Sequence, residues 1–394
     1  MKPVTEARRV AVTGVGVLAA CGIGRDAFWA GLLAPQPTVE RRILDFEPEQ
    51  YFPNPKEAKR TDRFAQIALA AAQEALAQAG DVGVDPARGG VLLGTGVGGL
   101  DTLETQIVTR HEKGERRVSP FLVPMMMSNA ASAALSMRYG WRGPCETTVT
   151  ACSAATHAIG NAARLIAYGR VDAALTGGSE AAMTITGMAG FRNMTALSTL
   201  GVSRPFDAER DGFVMSEGAA VLVLEAWSAA EARGATILAE VLGAASNADA
   251  HHITAPSPGG SGAIACMEQA IADAGLSPAD IVHINAHGTS TPLNDAAEAE
   301  AIAKLFGTPG PIVTSTKGVT GHALGAAGAL EAAAVVLSMQ HGLIPPTDGT
   351  KLVDASLPQI DLVLHEPRSW TPGPSLSNSF GFGGHNASII LGPA

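Results

Sequence analysis

The sequence predicts an α/β protein built from two similar halves. One stretch in each half follows the same order, in which an amphipathic helix closed by glycine leads through a short loop to an apolar strand. Residues 73–80 and the strand at 91–96 form the first unit, and residues 268–275 and the strand at 281–286 form the second. A duplicated unit of this kind predicts a pseudo-twofold axis with a functional site between the halves.

Length and composition agree with this fold class. At 394 residues the chain exceeds what one hydrophobic core usually serves, so we expect two core-bearing halves, residues 1–233 and 234–394. Apolar residues make up 46% of the chain, charged residues only 16%, and there are 45 glycines. This composition is typical of a globular α/β enzyme with many tight turns.

Charge and cysteine usage exclude several classes of protein. The formal net charge of −10 and the absence of any Lys/Arg run longer than two residues argue against general nucleic-acid binding. No stretch is long and apolar enough to span a bilayer. The four cysteines show neither CxxC spacing nor the density of a disulfide framework, which predicts a reducing, cytoplasmic compartment.

The remaining elements can be placed in chain order. Residues 10–17 alternate as a first buried strand would, and their glycines lack the third partner of a dinucleotide fingerprint. In the first half, Cys152 opens a helix that ends near Gly169. In the second half, a strand at 312–315 leads to His322, which opens an alanine-rich helix. Cys152 and His322 are therefore predicted to be structural equivalents that face one shared site.

Cys152 is the candidate nucleophile. It lies where a strand turns into a helix, and the unpaired N–H groups and dipole of a helix N-terminus favour a thiolate. Taken alone, such a residue is as typical of an inert buried cysteine. Three downstream segments supply what a reactive thiolate would need, namely residues 285–291, 317–322 and 381–384.

At these segments the chain resembles the condensing enzymes of the thiolase fold, and within them the β-ketoacyl-ACP synthase I/II branch. The resemblance covers almost the whole chain, and its motifs are TACS at 150–153, RPFD at 204–207 with RDGF at 210–213, NAHGTSTP at 285–292, Lys317 with TGH at 320–322, GAAG at 325–328 with Glu331, and NSFGFGG at 378–384. It implies a thiolase-like five-layered αβαβα fold, an acyltransferase activity, no organic cofactor and no metal.

The resemblance also implies how the reaction proceeds. Cys152 holds the growing acyl group, which is condensed with malonyl-ACP to give β-ketoacyl-ACP and CO2. His287 and His322 stabilise the enolate formed on decarboxylation. The backbone N–H groups of Cys152 and Phe382 form the oxyanion hole, and the Phe382 ring acts as a gate for the second substrate.

Further residues match supporting positions of the family. Lys317 matches a lysine that gives electrostatic support and hydrogen bonds to the neighbouring His322 segment, with a plain structural ion pair to Glu331 as the alternative. Thr289 and Thr291 match the residues that bind the phosphopantetheine arm, although Thr-Ser-Thr is otherwise a loop-capping sequence. His283 has no metal-ligand spacing with a cysteine or carboxylate set, and we expect a surface or packing role for it.

The partners follow from the same resemblance. Acyl carrier protein, loaded with acyl or malonyl groups, is expected to dock on a basic rim, and an ordinary solvated surface is the alternative for these residues. The candidates for this rim are Lys59, Arg60, Arg63, Arg116 and Arg117. A homodimer is expected, or a heterodimer with a chain-length factor if the pathway is a polyketide one.

Fatty acid elongation and a type II polyketide or polyene pathway both remain open. Ala155, Ser216 and His385 depart from the commonest family pattern and leave the acyl specificity undecided. A non-enzymatic chain-length-factor role is disfavoured because that class lacks the cysteine which Cys152 supplies. A degradative thiolase would need a second catalytic cysteine near the C-terminus, and none follows Cys266.

Overall fold

The computed structural model describes residues 7–34 and 41–394. In the first half the strands are β1 (Val10–Ala19), β2 (Gly22–Ile23), β3 (Gly89–Gly94), β4 (Cys145–Thr148), β5 (Ala173–Glu180) and β6 (Gly218–Ala226). The helices of this half are α1 (Arg25–Leu33), α2 (Pro55–Ala58), α3 (Arg63–Ala79), α4 (Leu100–Lys113), α5 (Leu122–Met126), α6 (Ala130–Tyr139), α7 (Ala154–Ala167), α8 (Ile185–Asn193) and α9 (Trp227–Ala232).

The second half repeats the alternation of strands and helices. Its strands are β7 (Ala239–Ala248), β8 (His283–Asn285), β9 (Ile312–Thr314), β10 (Leu343–Ile344), β11 (Asp361–Leu362), β12 (Arg368–Ser369), β13 (Ser375–Gly381) and β14 (His385–Gly392). Its helices are α10 (Ser261–Asp273), α11 (Pro292–Phe306), α12 (Lys317–Thr320) and α13 (Ala327–His341). The predicted boundary between residues 233 and 234 falls in the connection from α9 to β7, and these bounds stay a prediction.

Both halves order their strands in the same way. The order across the sheet is β4-β3-β5-β6-β1 in the first half and β9-β8-β13-β14-β7 in the second. In each half, the two strand pairings nearest the junction of β1 with β7 are antiparallel, and the next two pairings are parallel. The halves join where β1 pairs with β7 through only two residue pairs. The predicted duplication is therefore confirmed by topology.

The helices form three layers around the strands. α7 and α13 pack on each other in the middle, α3 covers the outer face of β1 and β6, and α10 covers β7 and β14. Gly16 of β1 lets α3 approach closely, since a Cβ there would lie 1.9 Å from the carbonyl oxygen of Ala71. This packing explains the glycines of β1 without a nucleotide, and the five-layered arrangement agrees with the predicted fold.

The central layer brings the ends of the two halves together. α13 is buried along nearly its whole length, as an alanine-rich helix between two layers must be. His322 lies just before it, between α12 and a short 3-10 turn at Leu324–Ala326, so it precedes α13 rather than opening it. No helix within the described ranges combines the length and the apolar character needed to cross a membrane.

Candidate active site

Cys152 follows a strained turn at the end of β4. Ala151 has a φ of 51°, in the left-handed region that costs a non-glycine residue roughly 1–3 kcal/mol. The turn is held from the other half of the molecule, because the Ser153 hydroxyl donates to the carbonyl oxygens of Ser379 (2.9 Å) and His385 (2.6 Å). The second half therefore fixes the backbone that presents the thiol.

His322 contacts the thiol directly. Its Nε2 lies 3.0 Å from the Cys152 Sγ, although the two residues are 170 positions apart. The backbone of His322 is fixed on both sides, since its N–H donates to the Val214 carbonyl and its own carbonyl accepts from Ser216. The predicted meeting of Cys152 and His322 at one site is what the fold produces.

Burial decides the protonation of the thiol. It raises the pKa of Cys152 to about 11, while the Lys317 charge and the backbone N–H of Phe382 lower that pKa by less. The backbone N–H groups favour the Cys152 anion, as predicted from the sequence, but burial has the larger effect on the pKa of the thiol. The physical reason is that this helix terminus is buried. The loss of hydration destabilises the thiolate by more than the hydrogen bonds from the N–H groups stabilise it. The resting pair is a neutral thiol beside a neutral imidazole.

Lys317 sets the tautomer of His287. Its Nζ lies 3.3 Å from the His287 Nδ1, donates to the His287 carbonyl oxygen at 2.6 Å and forms an ion pair with Glu331. An ammonium group can only donate, so the His287 Nδ1 is the acceptor and its Nε2 carries the proton. The ion pair with Glu331 is therefore present, and the hydrogen bonds of Lys317 go to His287 and not to the His322 segment, while its role in the reaction stays a prediction.

Both imidazoles are neutral. Burial, followed by the charge of Lys317, lowers the pKa of His287 and of His322 well below the ordinary histidine value. Their rings meet edge to face with centroids 5.4 Å apart, and the ligand atoms of both lie within 4.8 Å of each other and of the Cys152 sulfur. This spacing could seat a metal ion, but the ion would occupy the thiol and both imidazoles.

A cavity of about 320 Å³ opens onto these three side chains. Its apolar lining includes Phe191, Phe213 and Leu324. Its polar lining includes Thr289 and Thr291, whose hydroxyl groups lie 2.9 Å apart. Thr291 also caps α11, so its loop-capping role is present alongside its place in the cavity wall.

Phe382 lies in a tight turn at the cavity wall. The turn links β13 to β14, and Gly383 and Gly384 have φ values of 85° and 72° that favour glycine. The Gly383 N–H donates to the Ile253 carbonyl at 2.7 Å. The backbone N–H groups of Phe382 and Cys152 both act on the thiol and lower its pKa. These are the two donors predicted for the oxyanion hole.

Comparison with known proteins decides the family. Residues 36–230 match the family description "Beta-ketoacyl synthase, N-terminal domain", and residues 238–351 match "Beta-ketoacyl synthase, C-terminal domain". The chain belongs to the β-ketoacyl synthase family. It is thus a condensing enzyme of the acyltransferase class, as predicted, and the thiolase-like fold is confirmed.

Relatives and solved structures of this family match along the full length. The chain is 42% identical to "3-oxoacyl-[acyl-carrier-protein] synthase 2" of Synechocystis and 43% identical to the protein of that name from Rhizobium meliloti, each over 98% of both chains. Among solved structures, "The ishigamide ketosynthase/chain length factor" matches with a TM-score of 0.92 and 32% identity, over 98% of this chain and 100% of that one. A β-ketoacyl synthase from Burkholderia phymatum matches with a TM-score of 0.91 and 33% identity, over 98% and 100% of the chains.

The predicted docking residues of this ketosynthase fall into two groups. Lys59 and Arg60 follow α2, and Arg116 and Arg117 lie in a 3-10 turn; all four are exposed or half-exposed. The Arg60 guanidinium stacks on the ring of Phe121 at 4.5 Å, which brings the two basic segments onto one surface.

Arg63 does not belong to that surface. Its guanidinium donates to both carboxylate oxygens of Glu217, at 2.8 and 2.6 Å, and to the carbonyl of Ile43. Glu217 is buried, so the pair is a structural one that ties the start of α3 to the chain before β6. We therefore correct the sequence-based assignment and leave Arg63 out of the basic surface.

Two buried carboxylates beside the site were missed from the sequence. Burial raises the pKa of both Glu180 and Glu298 to about 7, although each accepts backbone N–H groups. Glu298 accepts from the N–H groups of His287 (2.9 Å) and Gly288 (2.8 Å) and so fixes the His287 backbone. A usable signal was present for Glu180, because a lone carboxylate ends the apolar strand β5.

Proposed function

We propose that this chain takes an acyl group from acyl carrier protein onto Cys152 and condenses it with malonyl-ACP, giving β-ketoacyl-ACP and CO2 in fatty acid elongation. The observation that carries the proposal is the convergence of the Cys152 thiol with His322 and His287 at one end of a cavity. The names of the relatives from Synechocystis and Rhizobium meliloti support the substrate class.

Acylation uses the thiol and His322. The Cys152 sulfur attacks the thioester carbonyl, and its proton passes to the His322 Nε2, 3.0 Å away. The N–H groups of Cys152 and Phe382 hold the oxyanion of the tetrahedral intermediate. When the carbon–sulfur bond to the carrier breaks, the carrier thiolate takes the proton from His322. Charge is thus balanced, and no thiolate has to persist in the buried resting site.

Condensation uses the neutral imidazoles. The bond from the malonyl Cα to its carboxylate breaks, CO2 departs, and the electron pair moves onto the thioester oxygen as an enolate. The His287 Nε2–H, whose tautomer Lys317 fixes, donates to that oxygen. His322 is proposed to do the same in its Nε2–H tautomer, which it can adopt because the acylated Cys152 no longer has a proton to donate to that nitrogen. The Cα then attacks the acyl carbonyl, the bond from that carbon to the Cys152 sulfur breaks, and the departing thiolate takes a proton from solvent.

A type II polyketide or polyene pathway is the second candidate. It is favoured by the TM-score of 0.92 to "The ishigamide ketosynthase/chain length factor". A second solved structure, of a type II PKS acyl-carrier protein in complex with its ketosynthase bound to the hexaketide, matches with a TM-score of 0.88 and 29% identity. The same condensation chemistry serves both pathways. The non-enzymatic chain-length-factor role is disfavoured, because Cys152 is present and in contact with His322.

We propose that the chain forms a homodimer through β4, or a heterodimer with a chain-length factor in a polyketide pathway. β4 pairs only with β3 and is an edge of the sheet, and its first residue, Cys145, is exposed. α6, which packs beside this edge, exposes Met137 (78%). Unpaired edges flanked by apolar side chains are normally covered.

Acyl carrier protein is proposed to dock on the basic surface formed by Lys59, Arg60, Arg116 and Arg117. Thr289 and Thr291 would then bind the phosphopantetheine arm that enters the cavity. Because the arm carries both substrates, the proposed reaction needs no organic cofactor or metal of the enzyme's own. The cytoplasmic location inferred from cysteine usage stays a prediction.

Mass spectrometry of acyl transfer tests the proposal. The protein is exposed to a panel of acyl-carrier substrates, and we expect acylation at Cys152, followed by β-ketoacyl product when malonyl-carrier is added. Cys152→Ala should abolish elongation while malonyl decarboxylation survives, and Cys145→Ala is the matched control, since its thiol is exposed and outside the cavity. Condensation by the Cys152→Ala variant would overturn the nucleophile assignment.

A further inference from the structure

Glu180 joins the two halves at the wall of the cavity. It is the last residue of β5 and is fully buried. Its Oε2 accepts the N–H of Gly96 at 2.5 Å and the N–H of Gly325 at 3.1 Å, and its Oε1 accepts from the Thr95 hydroxyl at 3.2 Å. One carboxylate oxygen therefore holds backbone from both halves.

The two glycines allow the backbone segments to pack closely on each other and on Glu180. A Cβ on Gly325 would lie 2.1 Å from the Gly96 nitrogen, and a Cβ on Gly96 would lie 2.6 Å from the Glu180 Oε2. The two backbone segments are thus in direct contact, and both of their N–H groups turn toward the same buried acceptor. Without that acceptor the buried N–H of Gly325 and the half-buried N–H of Gly96 would both lose their partner, which is unfavourable.

The neighbours of these glycines form the cavity wall. Val97 follows Gly96, Leu324 precedes Gly325, and both side chains line the cavity beside Cys152. Leu324 has a φ of 42°, a left-handed conformation that a leucine holds only when its surroundings impose it. The hydrogen bond from the adjacent Gly325 N–H to Glu180 is one contact that imposes it.

We propose that Glu180 is a positioning residue. By accepting the N–H groups of Gly96 and Gly325 on one oxygen, it fixes the part of the cavity wall that Val97 and Leu324 form. This role needs a side chain at position 180 that is long enough to reach both N–H groups, and it does not need a negative charge. Gln at position 180 could accept both N–H groups with its amide oxygen and donate to the Thr95 hydroxyl. Asp keeps the charge but is one methylene shorter and cannot reach both amides. The inference rests on the proposed function only in assigning the cavity to an acyl chain.

The test uses alkyl methanethiosulfonates from methyl to dodecyl, so that it does not depend on carrier protein. The Cys152 sulfur, as its thiolate, attacks the reagent's sulfenyl sulfur; a disulfide forms, methanesulfinate leaves, and the thiol proton goes to solvent. Peptide mass spectrometry gives the rate at Cys152 for each chain length. The variants are Glu180→Gln, Glu180→Asp and, as the control for shortening a buried glutamate elsewhere, Glu225→Asp.

We expect Glu180→Gln and Glu225→Asp to keep the wild-type dependence on chain length within about threefold. Glu180→Asp should change the rate for long reagents relative to methyl by about tenfold, the effect of losing one of the two backbone hydrogen bonds. An unchanged profile for Glu180→Asp, or an equal change in Glu180→Gln, would overturn the proposal.

Hydrogen exchange of the wild type keeps the proposal testable if Glu180→Asp does not fold. The N–H groups of Gly96 and Gly325 should exchange slowly. Fast exchange at either would show that Glu180 does not hold that N–H group and would refute the proposal. The carrier assay separates the two proposals. If the chain-length profile depends on Glu180 but no ketoacyl product forms, the proposed function fails and the role of Glu180 stands.

Discussion

Lys317 is the residue whose replacement tests the electrostatics of the site most directly. It is 1% exposed, and its ammonium group contacts the Glu331 carboxylate, the His287 carbonyl oxygen and the His287 Nδ1. Lys317→Met keeps the volume of the side chain and removes every one of these contacts. Glu331 is then left buried without its cation, and His287 loses the donor that fixes its tautomer.

The size of the effect follows from the burial of the pair. Removing one partner of a buried ion pair costs about 3–5 kcal/mol, because the remaining charge is uncompensated. Burial raises the pKa of Glu331 and the Lys317 charge opposes that rise, so the variant raises the folded-state pKa of Glu331 further. A group whose pKa is higher in the folded state contributes its stability below its unfolded pKa and loses it as pH rises through the folded pKa. The destabilisation should therefore be small near pH 5 and approach the full value at pH 8.

Urea unfolding at pH 5 and pH 8 measures this for the wild type, Lys317→Met, Glu331→Gln and the double variant. The double variant should regain most of the stability at pH 8, because no buried charge is left unpaired. It should not regain malonyl decarboxylation, because the His287 tautomer is no longer fixed. Wild-type stability of Lys317→Met at pH 8, or recovered decarboxylation in the double variant, would refute the reasoning.

Three further outcomes are expected. His283 is fully buried and packs on Trp370, and neither of its ring nitrogens has a hydrogen-bond partner among residues 7–34 and 41–394, so His283→Phe should raise the unfolding free energy by roughly 1–3 kcal/mol at pH 7 in urea titrations. Burial lowers the pKa of His283 to about 3, so the wild type should lose stability as pH falls below about 6.5 and the variant should lose less. Phe382→Ala should raise CO2 release relative to ketoacyl product; an unchanged ratio would make the ring a packing residue. Charge reversal of Arg116 and Arg117 should raise KM for acyl carrier protein but leave kcat unchanged, and an unaltered KM would remove them from the docking surface.

Local pattern in the sequence was enough for the duplicated architecture and for most of the site. Apolar periodicity and closing glycines predict the strand at 91–96 and the helix after Cys152, because those signals act over a few residues. The candidate residues Cys152, His287, Lys317 and His322 lie in short motifs, and the fold brings all four together. The motifs indicated which side chains to expect in the site, and the fold places those side chains close to one another.

Only the tertiary structure decided how those groups behave. The raised pKa of Cys152 comes from burial, which no local pattern reports. From the sequence, Arg63 was predicted to be an exposed charge of the docking surface. In the structure it pairs with Glu217, which lies 154 positions away. Glu180 meets Gly325 across 145 positions, and nothing in the sequence around either residue indicates that contact. Solvation and long-range contact depend on what the fold places next to a residue, and neighbours along the chain do not determine that.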